Sequence, residues 1–193
     1  MTSFADDFSG VALDAEWSDF FGNAVVSGGS LGFVSGSTMQ VKTTTLLFGG
    51  GGLVATVTFL ADGGTDTSVS VGVQEHGGVD RIYAYYGFGI LEASAVGNFD
   101  DAGIAPLTGL HVLRLDVDTD TDNVTATVYP DGAPEAPVAV ANTTLDAAAI
   151  TLMTDTGDAF IEAQTFGGVI TIDEFAIVDA PTGPGTSQPQ MVV

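Results

Sequence analysis

Asp116, Asp118, Asp120 and Asp122 alternate along one short stretch, and hard oxygen ligands at that spacing suit a Ca²⁺ ion. Counted from Asp118, the stretch departs from a helix-flanked calcium loop: Asn123 stands where the sharp turn needs Gly, and Tyr129 where a bidentate Glu belongs. What it leaves is a candidate weak Ca²⁺ site at Asp118, Asp120 and Asp122, set against a solvated hairpin tip whose Asp and Asn residues favour turns. Tyr83 and Tyr85 share one face of an extended segment, opposite Ile82, Ala84 and Tyr86. Flat rings stack on the C–H faces of a pyranose, so this pair is the candidate glycan surface; the same pair also suits plain cross-strand packing. Trp17, close to the first strand, is expected in the core.

Other chemistries find no support. Glu75, Glu92, Glu135, Glu162 and Glu174 are isolated, and Asp173-Glu174, as neighbours on a strand, point to opposite faces, whereas a retaining glycosidase holds two carboxylates close together. His76 lies in a Gly-flanked loop and His111 begins an apolar strand, with no Gly-x-Ser-x-Gly elbow to pair with either, so both read as structural. Two histidines far apart in sequence do not make a transition-metal site. Gly49-Gly-Gly-Gly52 reads as a flexible loop, since no helix or Lys follows to cradle phosphate.

The elements that must carry these residues are strands. Val and Thr are abundant, and 26 Gly punctuate the chain. Leu53–Leu60 sets Thr56 and Thr58 against Ala55, Val57 and Phe59, and Thr67–Val73 turns Val69, Val71 and Val73 inward. Arg81–Gly87 and Phe88–Ser94 continue an antiparallel meander. His111–Val117 and Val124–Tyr129 form a hairpin in which Leu113, Leu115 and Val117 face the same core as Val124, Ala126 and Val128. Pro130-Asp131-Gly132 makes the next turn, and further strands are expected at Ala136–Val140, Ile150–Thr154, Ala159–Gln164 and Val169–Val178. Thr144 caps at most one helical turn through Leu145–Ala149. The economical solution is all-β: a two-sheet antiparallel β-sandwich, with a closed barrel as the alternative. One domain over residues 1–180 is expected, followed by an extended Pro/Gly-rich C-terminal arm over 181–193.

The 193 residues carry 3 Lys+Arg against 25 Asp+Glu, a formal net charge of -22. With Lys42, Arg81 and Arg114 the only cations, no basic patch exists for nucleic acid, and an anionic membrane surface would repel the chain. No apolar run is long enough for a membrane-spanning helix. The absence of Cys removes disulfides and thiol chemistry. The start has neither a basic nor an apolar leader region, so the expectation is synthesis in the cytoplasm without a signal peptide. The acidity also suits a salty, halophilic setting, where screening weakens self-repulsion.

The opening Asp6-Asp7-Phe8-Ser9-Gly10 with Leu13-Asp14 and Glu16-Trp17, the central hairpin with Asp131-Gly132, and the closing Ile172-Asp173-Glu174-Phe175-Ala176-Ile177 together resemble the concanavalin A-like lectin/glucanase (laminin G-like) jelly-roll superfamily. The resemblance implies that first and last strands lie together, with Phe8 near Phe175. It spans lectins, glycan-binding modules, glycoside hydrolases and adhesion or virion components. The Glu-x-Asp-x-Glu strand of its laminarinase-type enzymes is missing here. The expectation is therefore a non-enzymatic structural or interaction module, foremost a virion surface component such as a capsid decoration or tail-associated protein. Its partners would be further copies or other particle proteins, and its place the virion or extracellular surface. The alternative is a carbohydrate-binding lectin-like domain using Tyr83 and Tyr85; a polysaccharide-degrading hydrolase ranks behind both. No cofactor is expected beyond the weak Ca²⁺ site.

Overall fold

Alternation of apolar and polar residues at period 2 obliges each strand to bury one face, and two sheets stacked face to face satisfy that demand. The computed structural model describes residues 3–10, 12–21, 24–32, 38–43, 46–47, 51–64, 66–154, 156–165 and 170–179. The expected arm over 181–193, the boundary at 180 and the first half of the Gly49–Gly52 loop lie outside these residues.

Among the described residues, the strands form two antiparallel sheets. The first runs β14 (Ala139–Thr144), β13 (Asn123–Pro130), β12 (Thr108–Asp118), β7 (Leu53–Asp62), β16 (Ile170–Asp179), β4 (Ser30–Gly32) and β3 (Val25–Ser27), with β1 (Phe4–Asp6) also on β16. The second runs β11 (Asn98–Gly103), β10 (Ile90–Ala95), β9 (Arg81–Gly87), β8 (Thr67–Glu75), β15 (Thr156–Thr165), β5 (Thr38–Thr43) and β2 (Trp17–Phe21), with β6 (Leu46–Leu47) on β15. This is the expected β-sandwich, and not a barrel.

The sheets close on each other through the side chains the alternation pointed inward. Leu113 pairs with Val128, Leu115 with Ala126 and Val117 with Val124, all essentially without solvent exposure. Phe59 of the first sheet meets Tyr86 of the second at 5.6 Å between ring centroids. First and last strands do lie together: Asp6 pairs with Phe175 in the β1–β16 ladder. Trp17 packs against Phe4, Phe8 and Phe175 at 5.3, 5.9 and 5.1 Å, so Phe8 and Phe175 share one aromatic knot with Trp17 between them. The indole Nε1 donates to Asp6 Oδ2 at 2.6 Å, which satisfies its one polar group inside the knot.

Several expected elements shift. Phe88 and Gly89 have φ of 51° and 83° and make the β9–β10 turn, so the next strand begins at Ile90 rather than Phe88. Pro137 has no N–H for a ladder, and β14 accordingly starts at Ala139 instead of Ala136. The segment expected as a strand at Ile150–Thr154 is helical, α1 (Ala147–Thr154), with Ala149, Leu152 and Met153 buried. Asp146, not Thr144, caps it: Ala149 N–H donates to Asp146 Oδ1 at 2.8 Å, and three consecutive alanines then favour helix. A bulge between Ile172 and Glu174 leaves both Asp173 and Glu174 outside the core, which corrects their expected alternation.

Candidate functional site

The second sheet turns Val69, Val71, Val73, Ile82, Ala84 and Tyr86 into the core. Its opposite face therefore carries what lies between them. Ladder register sets the rows of this outer face. Lys42, Phe160, Gly72, Tyr83 and Ser94 run side by side across β5, β15, β8, β9 and β10. The adjacent row is Gln40, Glu162, Ser70, Tyr85, Glu92 and, on β11, Asp101. On the other side stand Asp158, Gln74 and Arg81.

Tyr83 and Tyr85 thus sit as the alternation placed them, on one outward face and half-buried, while Tyr86 turns inward and its hydroxyl oxygen accepts from Leu107 N–H at 2.9 Å. Tyr83 donates to Glu92 Oε1 at 2.9 Å. Burial pushes both outward phenols above their ordinary range, and the Glu92 charge adds to it. Gly72 matters here: a Cβ on it would stand 2.7 Å from Tyr83 Cβ, so its bare backbone leaves the Tyr83 and Phe160 rings free to meet at 6.5 Å across the intervening strand. The Arg81 guanidinium lies 5.1 Å from the centroid of the same Phe160 ring and donates to Glu162 Oε2 at 3.1 Å. Gln40 Nε2 donates to that oxygen too, also at 3.1 Å. Burial pulls the Lys42 ammonium below its ordinary value, opposed by the charges of Asp158 and Glu162. At the rim, His76 Nδ1 is 3.0 Å from Asp158 Oδ1, with the imidazole largely in solvent.

Two of the chain's three cations, Lys42 and Arg81, therefore occupy this face. Sequence reading found only its tyrosines. The missed residues were signalled by the same alternation, Gln40-x-Lys42 against Met39 and Val41, and Asp158-x-Phe160-x-Glu162 against Ala159, Ile161 and Ala163. Topology also sets Glu92 directly opposite Asp101, a carboxylate pair invisible in the sequence. Glu162 and Glu92 are three strand intervals apart, roughly 14 Å of sheet, well beyond the separations of about 5 to 9.5 Å used by glycosidases.

The aspartate loop is a hairpin tip. Asp118 Oδ1 accepts from Asp120 N–H at 2.9 Å and Thr121 N–H at 3.2 Å, and the Thr121 hydroxyl together with those backbone bonds holds its carboxyl below the ordinary range. Asp122 adopts φ 53°, a turn conformation that Asp tolerates. Asp116 stands apart from this group on the outer face of the first sheet, where Arg114 Nε and Nη2 donate to its two oxygens. Among the described residues no three His, Asp or Glu side chains gather around one point. His111 is buried against Phe59, 6.2 Å between rings.

Lectin I-B4 of Griffonia simplicifolia, metal-free form, superposes with a TM-score of 0.70 at 8% identity, covering 94% of this chain and 100% of that one. The fold is the concanavalin A-like jelly roll. An endo-1,3-beta-glucanase from Streptomyces sioyaensis shares it with a TM-score of 0.62 and 15% identity, over 90% of this chain and 94% of the enzyme. So does the CBM2 module of the evolved Dit of Lactobacillus casei BL23 phage J-1, with a TM-score of 0.68 and 7% identity, over 92% and 98%. No protein-family model and no curated protein matches the sequence. Jelly rolls of this type thus include lectins and enzymes alike, and this chain's own residues must separate the two.

Proposed function

We propose that the protein is a non-enzymatic, lectin-like interaction module that binds carbohydrate on the outer face of its second sheet. The observation that carries this reading is the half-buried Tyr83–Tyr85 pair, ringed by hydrogen-bonding side chains of both kinds, Arg81 as donor and Glu92 and Glu162 as acceptors. Aromatic rings for the C–H faces and directed polar groups for the hydroxyls are what a sugar needs from a surface. Against hydrolysis stands the state of the carboxylates: Glu162 is engaged by Arg81 and Gln40, Glu92 by Tyr83, and Asp101 lies exposed on an edge strand. A glycan array on wild-type protein and on the Tyr83→Ala/Tyr85→Ala double variant tests the reading. Binding that disappears in the double variant supports it; binding that persists removes this face. Release of reducing ends from a bound polysaccharide, lost in Glu92→Gln, would make the protein an enzyme.

The likeness to the phage Dit module favours a setting for such a domain, as a virion surface component. In that role the module would display its sugar-binding face while attached to a particle through further copies or other particle proteins. Light scattering in low and high salt tests the self-association: a discrete, salt-stabilised oligomer is expected, and a monomer at both salts argues for a freestanding lectin.

A further inference from the structure

The row that carries Tyr83 continues to the edge of the sheet. Beyond Ser94 of β10 the ladder reaches Phe99 of β11, so Phe160, Gly72, Tyr83, Ser94 and Phe99 follow one another across five strands. Leu91, Ala93 and Ala95 turn into the core, Ser94 therefore turns outward, and its ladder partner Phe99 shares that face with Tyr83. The two ends of the row differ. Phe160 is buried, whereas Phe99 is 68% exposed, more than any other aromatic residue among the described residues. A phenyl ring left in water adds little to the stability of the sandwich, and this one stands on a sheet edge beside Asp100 and Asp101. The fold gains little from the ring, and its alignment with Tyr83 offers it to a ligand.

Spacing and charge decide what kind of ligand fits. Tyr83 and Phe99 are two strand intervals apart, roughly 10 Å of sheet, which is wider than a single sugar ring. Ser94 lies between them with a short side chain, so the floor stays low there, as Gly72 keeps it low on the other side of Tyr83. The hydrogen bond from Tyr83 to Glu92 Oε1 at 2.9 Å fixes the first ring. Along one flank Glu92 and Asp101 stand directly opposite each other and present carboxylate oxygens to hydroxyl donors. Neither β10 nor β11 contains a Lys or Arg, and the whole chain carries -22, so a glycan bearing carboxylate or sulfate is repelled from this end of the face.

Resting on the carbohydrate-binding reading above, we infer that Phe99 is a second stacking platform and that the face takes a neutral oligosaccharide lying across β9, β10 and β11, one ring on Tyr83 and another on Phe99. Glu92 and Asp101 stand beside the chain to accept from its hydroxyls. A single sugar fills only one platform, so affinity depends on chain length, and Phe99 is the residue that sets this dependence.

The test is a length series of neutral gluco-, manno- and galacto-oligosaccharides, from mono- to hexasaccharide, with a uronate- and sulfate-bearing series beside it. Each is titrated against wild type, Phe99→Ala, Phe99→Trp and the double tyrosine variant, all checked for cooperative melting and for size by light scattering. Wild type is expected to gain about tenfold in affinity once a neutral chain is long enough to reach from Tyr83 to Phe99, the scale of one stacked ring. Phe99→Ala should lose that gain and fall back to the short-chain affinity, Phe99→Trp should keep it, and the tyrosine variant should lose binding at every length. Tyrosine-dependent binding that does not strengthen with length, or a gain that Phe99→Ala retains, overturns the second platform and leaves the broader reading standing. An oligomer that Phe99→Ala dissociates while the gain persists assigns the ring to a contact between copies, and overturns the platform equally. Binding confined to the acidic series overturns the ligand class. A wild type that binds no saccharide of any length overturns the carbohydrate reading itself.

Discussion

Tyr83 and Phe160 meet with ring centroids 6.5 Å apart although a whole strand separates them. The residue between them in the ladder is Gly72, paired with Tyr83 on one side and Phe160 on the other. Any side chain at that position would fill the gap through which the rings touch and beside which Arg81 reaches Glu162. One glycine thus sets the shape of the face.

Gly72→Ala is expected to damage that face more than the fold. The new Cβ overlaps the Ile82 carbonyl oxygen and falls 2.7 Å from Tyr83 Cα and Cβ, so it forces the β8–β9 ladder to give. Overpacking of this kind costs about 1–3 kcal/mol. Thermal melting should show that loss, and the glycan titration should show a larger proportional fall than for a distant destabilising variant of equal Tm. Equal glycan affinity in Gly72→Ala and wild type would show that the Tyr83–Phe160 contact is not part of the binding surface.

Trp17→Ala should be among the most destabilising single substitutions, at about 3–5 kcal/mol, because it empties the knot that joins β2 to β1 and β16. Trp17→Phe keeps an aromatic ring but leaves Asp6 without its indole donor, so its loss should be smaller. Chemical denaturation of the two variants measures the difference; equal losses would mean that the hydrogen bond, not the ring, holds the ends of the sandwich together.

The inward face of the hairpin β12–β13 is legible because its core positions are Leu, Val and Ala without a break, and apolar inward positions do the same for β7, β8 and β9; the ends are not, since β12 begins at Thr108 rather than His111 and β7 and β8 run two residues further than expected, to Asp62 and Glu75. Strands at the edges were less readable. β11 is Asn-Phe-Asp-Asp-Ala-Gly, an edge strand none of whose residues is fully buried, so no apolar alternation is imposed on it and periodicity has little to grip. The helix was misjudged since Ile150-Thr151 looks extended by propensity, yet Asp146 capping and three alanines decide the local structure. For the candidate site, alternation told which way Tyr83 and Tyr85 point, a property of one strand. It could not tell that Arg81 and Glu162, separated by 81 positions, meet across β8, because strand order is a property of the whole sandwich.

Alkaline titration should unfold the protein. All four tyrosines, Tyr83, Tyr85, Tyr86 and Tyr129, are held above the ordinary 10.0, chiefly by burial. The unfolded chain ionises them first, so stability falls as pH rises from 10.0 through the folded values. Lys42 runs the other way, since its lowered value makes the fold gain stability up to the unfolded 10.5 and nothing beyond. Above 10.5 only the tyrosine effect remains, and tyrosinate absorbance should appear together with the loss of circular dichroism. Tyrosinate forming well before unfolding would show that the phenols are more solvated than their burial implies.

Calcium should matter little to the fold. The Asp118 carboxylate already serves the backbone of its own turn through Asp120 N–H and Thr121 N–H, and Asp116 is engaged by Arg114. A metal at Asp118, Asp120 and Asp122 would have to compete with the first of these, so the site, if it forms, belongs to the weak class of millimolar affinity. At a Ca²⁺ concentration equal to its Kd, binding adds only about 0.4 kcal/mol of stability. The melting temperature in chelator and in millimolar Ca²⁺ is therefore expected to agree closely, and glycan affinity to be the same in both. A large upward shift with Ca²⁺ that Asp120→Asn abolishes would instead establish a tight ion whose ligands reorganise the hairpin tip. Asp118→Ala separates the two cases, because loss of the turn bonds lowers the melting temperature equally with and without the ion, whereas loss of a metal ligand lowers it only when Ca²⁺ is present.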